Sequence, residues 1–135
     1  MIGYSPKFPL QIDNYVGAYS LNTTLAQVAK QNFFNLVLTS PGERIMDINF
    51  GVGLRRYLFE QNSSTVREEI ATNIQDQVRK YMPFISLKAI DFNTNTVGPS
   101  KDHILKVSIS YSIPSIVIAD ILEISETFGT SENSL

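Results

Sequence analysis

The chain has 135 residues, 43% of them hydrophobic and 18% charged, which suits one folded domain with a real core rather than a disordered tail. Eleven basic against thirteen acidic residues leave a net charge of -2, so composition offers no broad attraction to nucleic acid or to an anionic membrane surface. Cysteine is absent, which excludes disulfides, thiolate metal sites and cysteine nucleophiles.

The first residues, MIGYSPKFPLQ, lack the charged and then apolar pattern of a signal peptide, and the apolar runs are too short to span a bilayer; a soluble chain is expected. Residues 1–22 combine Pro6, Pro9, Gly3 and Gly17 with Tyr4, Phe8, Tyr15 and Tyr19. The prolines oppose helix and the aromatics oppose a fully solvated tail, so an extended N-terminal arm is expected, docked on a neighbour or on its own domain.

A domain over residues 23–128 follows. From Thr23 to Thr39, Leu25, Val28, Ala29, Phe33, Leu36 and Val37 recur at helical spacing, and Pro41-Gly42 ends the pattern. The segment ERIMDINFGVGLRRYLFEQ contains tight backbone positions at Gly51 and Gly53 and room for a short helix over Leu54 to Glu60. Val66, Ile70, Ile74, Val78 and Tyr81 then mark a second helix, with Thr65 and Glu68 at capping-box spacing and Pro83 as its stop. Beyond Pro83 the period becomes two. Ile85, Leu87 and Ala89 alternate with polar residues, and Leu105, Val107, Ile109, Tyr111 and Ile113 do so again after a turn-rich connection over 93–102. Val117 to Phe128 reads as a third strand, and residues 129–135 as a polar tail. The expected architecture is α+β: two main helices packed on a small antiparallel sheet of about three strands, with the arm outside it.

Chemistry is sparse. His103 is the single histidine, without a second histidine or a cysteine to complete a metal site, and no GxSxG elbow supports a triad; no metal, cofactor or small-molecule substrate is expected. The Gly-Val-Gly of residues 51–53 lacks the lysine and the strand-loop-helix order of a phosphate loop. Glu43, Asp47 and Glu60 could in principle serve glycoside hydrolysis, but a general acid would require an apolar pocket around one of them. Arg44, Arg55 and Arg56 are interleaved with Ile45, Phe50, Leu54, Tyr57, Leu58 and Phe59, the composition of a protein interface.

Three blocks in this region, Leu38-Thr39-Ser40-Pro41-Gly42-Glu43-Arg44, Phe50-Gly51-Val52-Gly53-Leu54-Arg55-Arg56 and Leu58-Phe59-Glu60, resemble the signature of the baseplate wedge and sheath-initiator family of contractile tails, which includes a type VI secretion subunit. The resemblance covers about residues 20–127. It implies a structural, non-enzymatic phage protein of the virion tail baseplate, assembled in the host cytoplasm, with other wedge proteins and the tail sheath subunit as partners and no nucleic acid or membrane. It also implies a fold similar to the part of the sheath subunit that links sheath subunits together, offered to the first sheath ring by strand pairing. An old lysozyme label travels with the family, so a peptidoglycan-cleaving enzyme using Glu43 or Glu60 is the alternative, and an adaptor for another intracellular protein is a third reading. Family members typically carry Glu-Pro-Arg at the end of the long helix, where this chain has Met82-Pro83-Phe84. The expected partner-binding residues are Arg44, Arg55, Arg56, Met82, Pro83 and Phe84, with Ile121, Glu123 and Ile124 on the last strand.

Overall fold

The structure is a computed structural model, and it describes residues 3–12, 19–60, 63–93 and 104–127. The connection around His103 and the polar tail lie outside these residues. Two helices and two antiparallel sheets make up an α+β fold: strands β1 (Ser5–Pro6) and β2 (Leu21–Asn22) pair as a short ribbon, and β3 (Ser86–Asn93), β4 (Ile104–Ile113) and β5 (Ile118–Thr127) form a three-stranded sheet in that order. Among the described residues no helix is long and apolar enough to cross a membrane.

Helix α1 (Leu25–Leu38) starts at Thr24, whose hydroxyl accepts from the Gln27 amide, and it stops at Thr39. Its buried stripe, Ala29, Phe33, Leu36 and Val37, lies at three- and four-residue spacing, so one face of the helix enters the core. Helix α2 (Ser64–Tyr81) buries Ile70, Ile74 and Val78. Its cap is Ser63, not the expected Thr65: the Ser63 hydroxyl takes the Val66 amide at 3.4 Å, and Thr65 falls inside the first turn. Ser63, Ser64 and Thr65 can all cap a helix, and the backbone chose the earliest of them. The helix ends before Pro83, with the Met82 amide closing on Val78 at 2.9 Å.

The sheet packs its inner face on both helices. Val107, Ile109, Tyr111 and Ile113 of β4, with Leu122 and Ile124 of β5, are buried against Phe33, Leu36, Ile70 and Ile74 in one core. Phe33 meets Tyr111 edge to face, ring centres 5.2 Å apart. In β3 the expected alternation fails at Ala89. A register shift between Leu87 and Ala89 inserts Lys88 as an extra residue, so Ala89 is exposed while Ile90 and Phe92 turn inward.

The arm is tied to its own domain by a pair of buried amides. Gln31 Oε1 accepts from the Phe8 amide at 3.0 Å and from Asn22 Nδ2 at 2.9 Å, while Gln31 Nε2 donates to the Pro6 carbonyl at 3.1 Å. Asn22 Nδ2 also reaches the Ser5 hydroxyl at 3.1 Å. Gln31 thus replaces the missing ladder partners of a proline-rich strand. Replacing it with leucine strands the Phe8 amide and leaves the Pro6 carbonyl with only the longer Asn22 Nδ2 contact at 3.5 Å, at a cost of about 1–3 kcal/mol. Gln31→Leu should therefore melt earlier and be cut by trypsin after Lys7 faster than the wild type; unchanged cleavage would show that the ribbon is held by something else.

Candidate partner-binding surface

The segment between α1 and the 3-10 turn of Leu54–Phe59 is irregular but highly bonded. The Gly53 amide donates to the Thr39 carbonyl at 2.9 Å, the Val52 amide to Leu36 at 3.1 Å and the Gly42 amide to Ile48 at 2.8 Å. From α2, Gln77 takes the Gly51 amide at 3.0 Å and gives its own amide to the Asn49 carbonyl at 3.0 Å. Loops on a surface normally leave such groups to water; here α1 and α2 hold both ends, so the loop is a fixed projection.

On that base stands a stack of side chains. The Tyr81 hydroxyl donates to Asp47 Oδ2 at 2.7 Å, the Phe50 ring meets the Tyr81 ring edge to face at 4.9 Å, and the Arg44 guanidinium lies 4.0 Å above Phe50. The Tyr81 hydrogen bond, together with the Asn49 amide and the nearby Lys80 and Arg44 charges, outweighs slight desolvation and holds the Asp47 carboxyl below its ordinary value. Among the described residues no carboxylate lies within ion-pair distance of Arg44. Its guanidinium is therefore spread on an aromatic face with its N–H donors available, a geometry suited to receiving an acidic or carbonyl-rich surface.

Arg44, Phe50, Tyr81, Met82 and Phe84 line, with Asn32, Asn35 and Leu36, an open cavity of about 410 Å³. The structure thus brings Arg44, Met82 and Phe84 to one place. Phe84 is half exposed at its rim and Pro83 is exposed. Met82, however, is 6% exposed and belongs to the core, so its expected role as a free contact is corrected: it floors the cavity. Arg55 and Arg56 are exposed on the 3-10 turn and do not line it. That turn is fixed to α2 through Tyr57, whose hydroxyl donates to Glu69 at 3.2 Å and accepts from Asn73 at 2.7 Å; burial first, and then Glu69, push its ionisation up.

On the last strand Ile121 and Glu123 are exposed on the outer face. Ile124 is 3% exposed and points into the core with Leu122, so it too is corrected from contact to core. Both corrections have one cause: an apolar residue at a helix end or on a half-buried strand reads the same whether it faces inward or outward. Residues that sequence reasoning passed over are Met46 and Ile48, which project with Ile45 from the loop tip at 95%, 64% and 92% exposure, and the cavity residues Asn32 and Asn35. The apolar trio between Gly42 and Phe50 without any period was the available signal; the two asparagines gave none.

Glu43 and Glu60 are exposed, and neither sits in the apolar pocket that a general acid requires. Among the described residues no group of three or more histidine, aspartate or glutamate side chains is assembled for a metal.

Residues 21–115 match the family model described as baseplate wedge protein gp25. The chain belongs to this baseplate wedge family. The matched stretch includes α1, the bonded loop, the 3-10 turn, α2, β3 and β4, so the whole of the cavity lies inside it. The chain is 30% identical over 84 residues to the baseplate wedge protein gp25 of Enterobacteria phage T4; the match covers 62% of this chain and 61% of the T4 protein's length. Three solved structures share the wedge family's fold with it. A protein of Geobacter sulfurreducens described as a tail lysozyme superposes with a TM-score of 0.66 at 18% identity, covering 83% of this chain and 98% of that one. A chain of the anti-feeding prophage baseplate gives 0.65 at 24% identity, with 78% and 81% covered. A chain of the postcontracted pyocin R2 baseplate gives 0.51 at 19% identity, with 89% and 99% covered.

Proposed function

We propose that this chain is a structural, non-enzymatic wedge component of a contractile-tail baseplate that joins other wedge proteins through the Arg44–Phe50–Phe84 cavity and starts the sheath by strand pairing at the outer edge of β5. The observation that supports this best is the coincidence of the family match with a rigid projecting loop whose apolar tip the core does not bury. Ile45, Met46 and Ile48 are exposed although the backbone beneath them is held by both helices, and exposed apolar groups on a fixed frame suit a partner. The outer edge of β5, unpaired among the described residues, supports the second half, because such an edge supplies main-chain donors and acceptors in register. The lysozyme reading finds no support in the positions of Glu43 and Glu60.

Co-expression with the wedge and sheath proteins encoded beside this chain, followed by size-exclusion chromatography, tests both halves. Arg44→Ala combined with Phe84→Ala should weaken wedge co-elution by about tenfold or more, as hot-spot losses do, with unfolding unchanged because both side chains are exposed. Ile121→Lys should leave wedge co-elution intact and remove sheath, since an edge lysine opposes strand addition. Removing the whole strand is a poorer test, because Leu122 and Ile124 would leave the core with it. Wedge binding that ignores the cavity variant, or sheath binding that ignores Ile121→Lys, overturns the corresponding half.

A further inference from the structure

Among the described residues β5 is hydrogen-bonded to β4 alone, and the amide of Ile121, near the middle of the strand, is taken by a side chain of the strand itself. The Ile121 amide donates to Oδ1 of the preceding residue, Asp120, at 2.8 Å. Antiparallel ladders turn alternate amides toward the neighbour and away from it. With its proton held by a carboxylate of its own strand, the Ile121 amide fits the set turned away from β4, toward the open side. Asp120 Oδ2 meanwhile takes Lys30 Nζ of α1 at 3.1 Å, with both side chains about four-tenths exposed. The pair therefore folds a charged side chain over the donor that an arriving strand would use first.

The charge of the strand is one-sided. Residues 118–127 carry Asp120, Glu123 and Glu126 and no basic residue, and Glu123 is exposed beside Ile121 on the outer face. A strand added here must displace the Asp120 carboxylate from the Ile121 amide and leave it at a newly covered surface, where a carboxylate oxygen without a partner is costly. Lys30 satisfies one oxygen; the other becomes free. We infer that Asp120 is the specificity residue of the β5 edge, keeping the Ile121 amide covered against strands in general and admitting an extended segment that brings a lysine or arginine to that freed oxygen. Apolar residues flanking the cation would meet Ile121, and a second cation would face Glu123. The segment is thus extended and basic. This inference rests on the proposed use of the β5 edge.

Two capped, fluorescent peptides as long as β5, of alternating threonine and valine with a central lysine or a central glutamate, serve as probes in anisotropy titrations with the full chain. The wild type should prefer the lysine peptide by about fivefold or more, the swing between an opposite and a like cross-strand charge. Asp120→Asn should erase the preference and Asp120→Lys should reverse it. Amide exchange at Ile121 should speed up in Asp120→Asn and slow when the lysine peptide binds. Circular dichroism establishes that each variant is folded, and the near-isosteric Asp120→Asn carries the test if Asp120→Lys is not. A preference that survives in Asp120→Asn overturns the assignment while leaving edge pairing in place. Binding of the sheath subunit with neither peptide preferred also overturns it and spares the proposed function. Loss of sheath binding by the wild type itself would bring down both.

Discussion

Phe33→Ala should lower the unfolding free energy by about 3–5 kcal/mol, a large share of a domain stability on the order of 5–15 kcal/mol. Phe33 is fully buried on the α1 face and is the ring that meets Tyr111 of the sheet at 5.2 Å. Truncation removes the apolar transfer, leaves a cavity between layers that two helices and a ladder prevent from closing, and ends the edge-to-face contact. The same site holds the Tyr111 hydroxyl in low-polarity surroundings: burial first, and then the Asp120 charge, push its ionisation up to about 12. Urea unfolding followed by circular dichroism reads the loss directly, and Phe33→Leu should cost much less because most of the volume remains. A loss under about 1 kcal/mol for the alanine variant would mean that α1 is not joined to the sheet through this residue.

Gly51→Ala should cost about 3 kcal/mol or more, from strain at a positive φ together with a clash that cannot relax. The residue has φ of +107°, and an added Cβ would stand 2.0 Å from the Thr39 carbonyl oxygen, a backbone atom at the end of α1. The neighbouring amides of Val52 and Gly53 are bound to α1 at Leu36 and Thr39, so the chain cannot step aside without breaking them. Gly42 provides the control: its φ is +94°, but an added Cβ there meets open space, so alanine should cost only the local strain, on the order of 1 kcal/mol. Thermal melts of the two variants compare these costs. Gly51→Ala should also lower wedge co-elution further than its stability loss explains, because Phe50 and the Arg44 stack depend on its backbone. Equal melting of the two variants would show that the approach to Thr39 is looser than the structure has it.

The same two residues show what could be read before folding. Phe33 belongs to a run of apolar positions at helical spacing, and that period alone places it on a buried face. Gly51 and Gly53 stand out as tight positions without any indication of what they approach; the Thr39 carbonyl becomes visible only when α1 and the loop are side by side. The cap of α2 was ambiguous among three hydroxyl residues in a row, and the inserted Lys88 was hidden because an alternation with one extra residue still looks like an alternation over its first few positions.

By itself the sequence determined the two helices and the three strands that follow them, most of their inward stripes, the Pro41-Gly42 and Pro83 stops, and the family, but not the β1–β2 ribbon of the arm, because the former rest on local spacing and on blocks of residues read in line. Tertiary structure alone decided that Met82 and Ile124 are core, that Gln31 holds the arm, that Arg44 rests on a ring propped by Tyr81 and Asp47, and that the Asp120 carboxylate joins Lys30 of α1 to the Ile121 amide. Each of these joins residues far apart in the chain or depends on which side of a strand faces solvent, and such relations are set by packing, which no local period encodes.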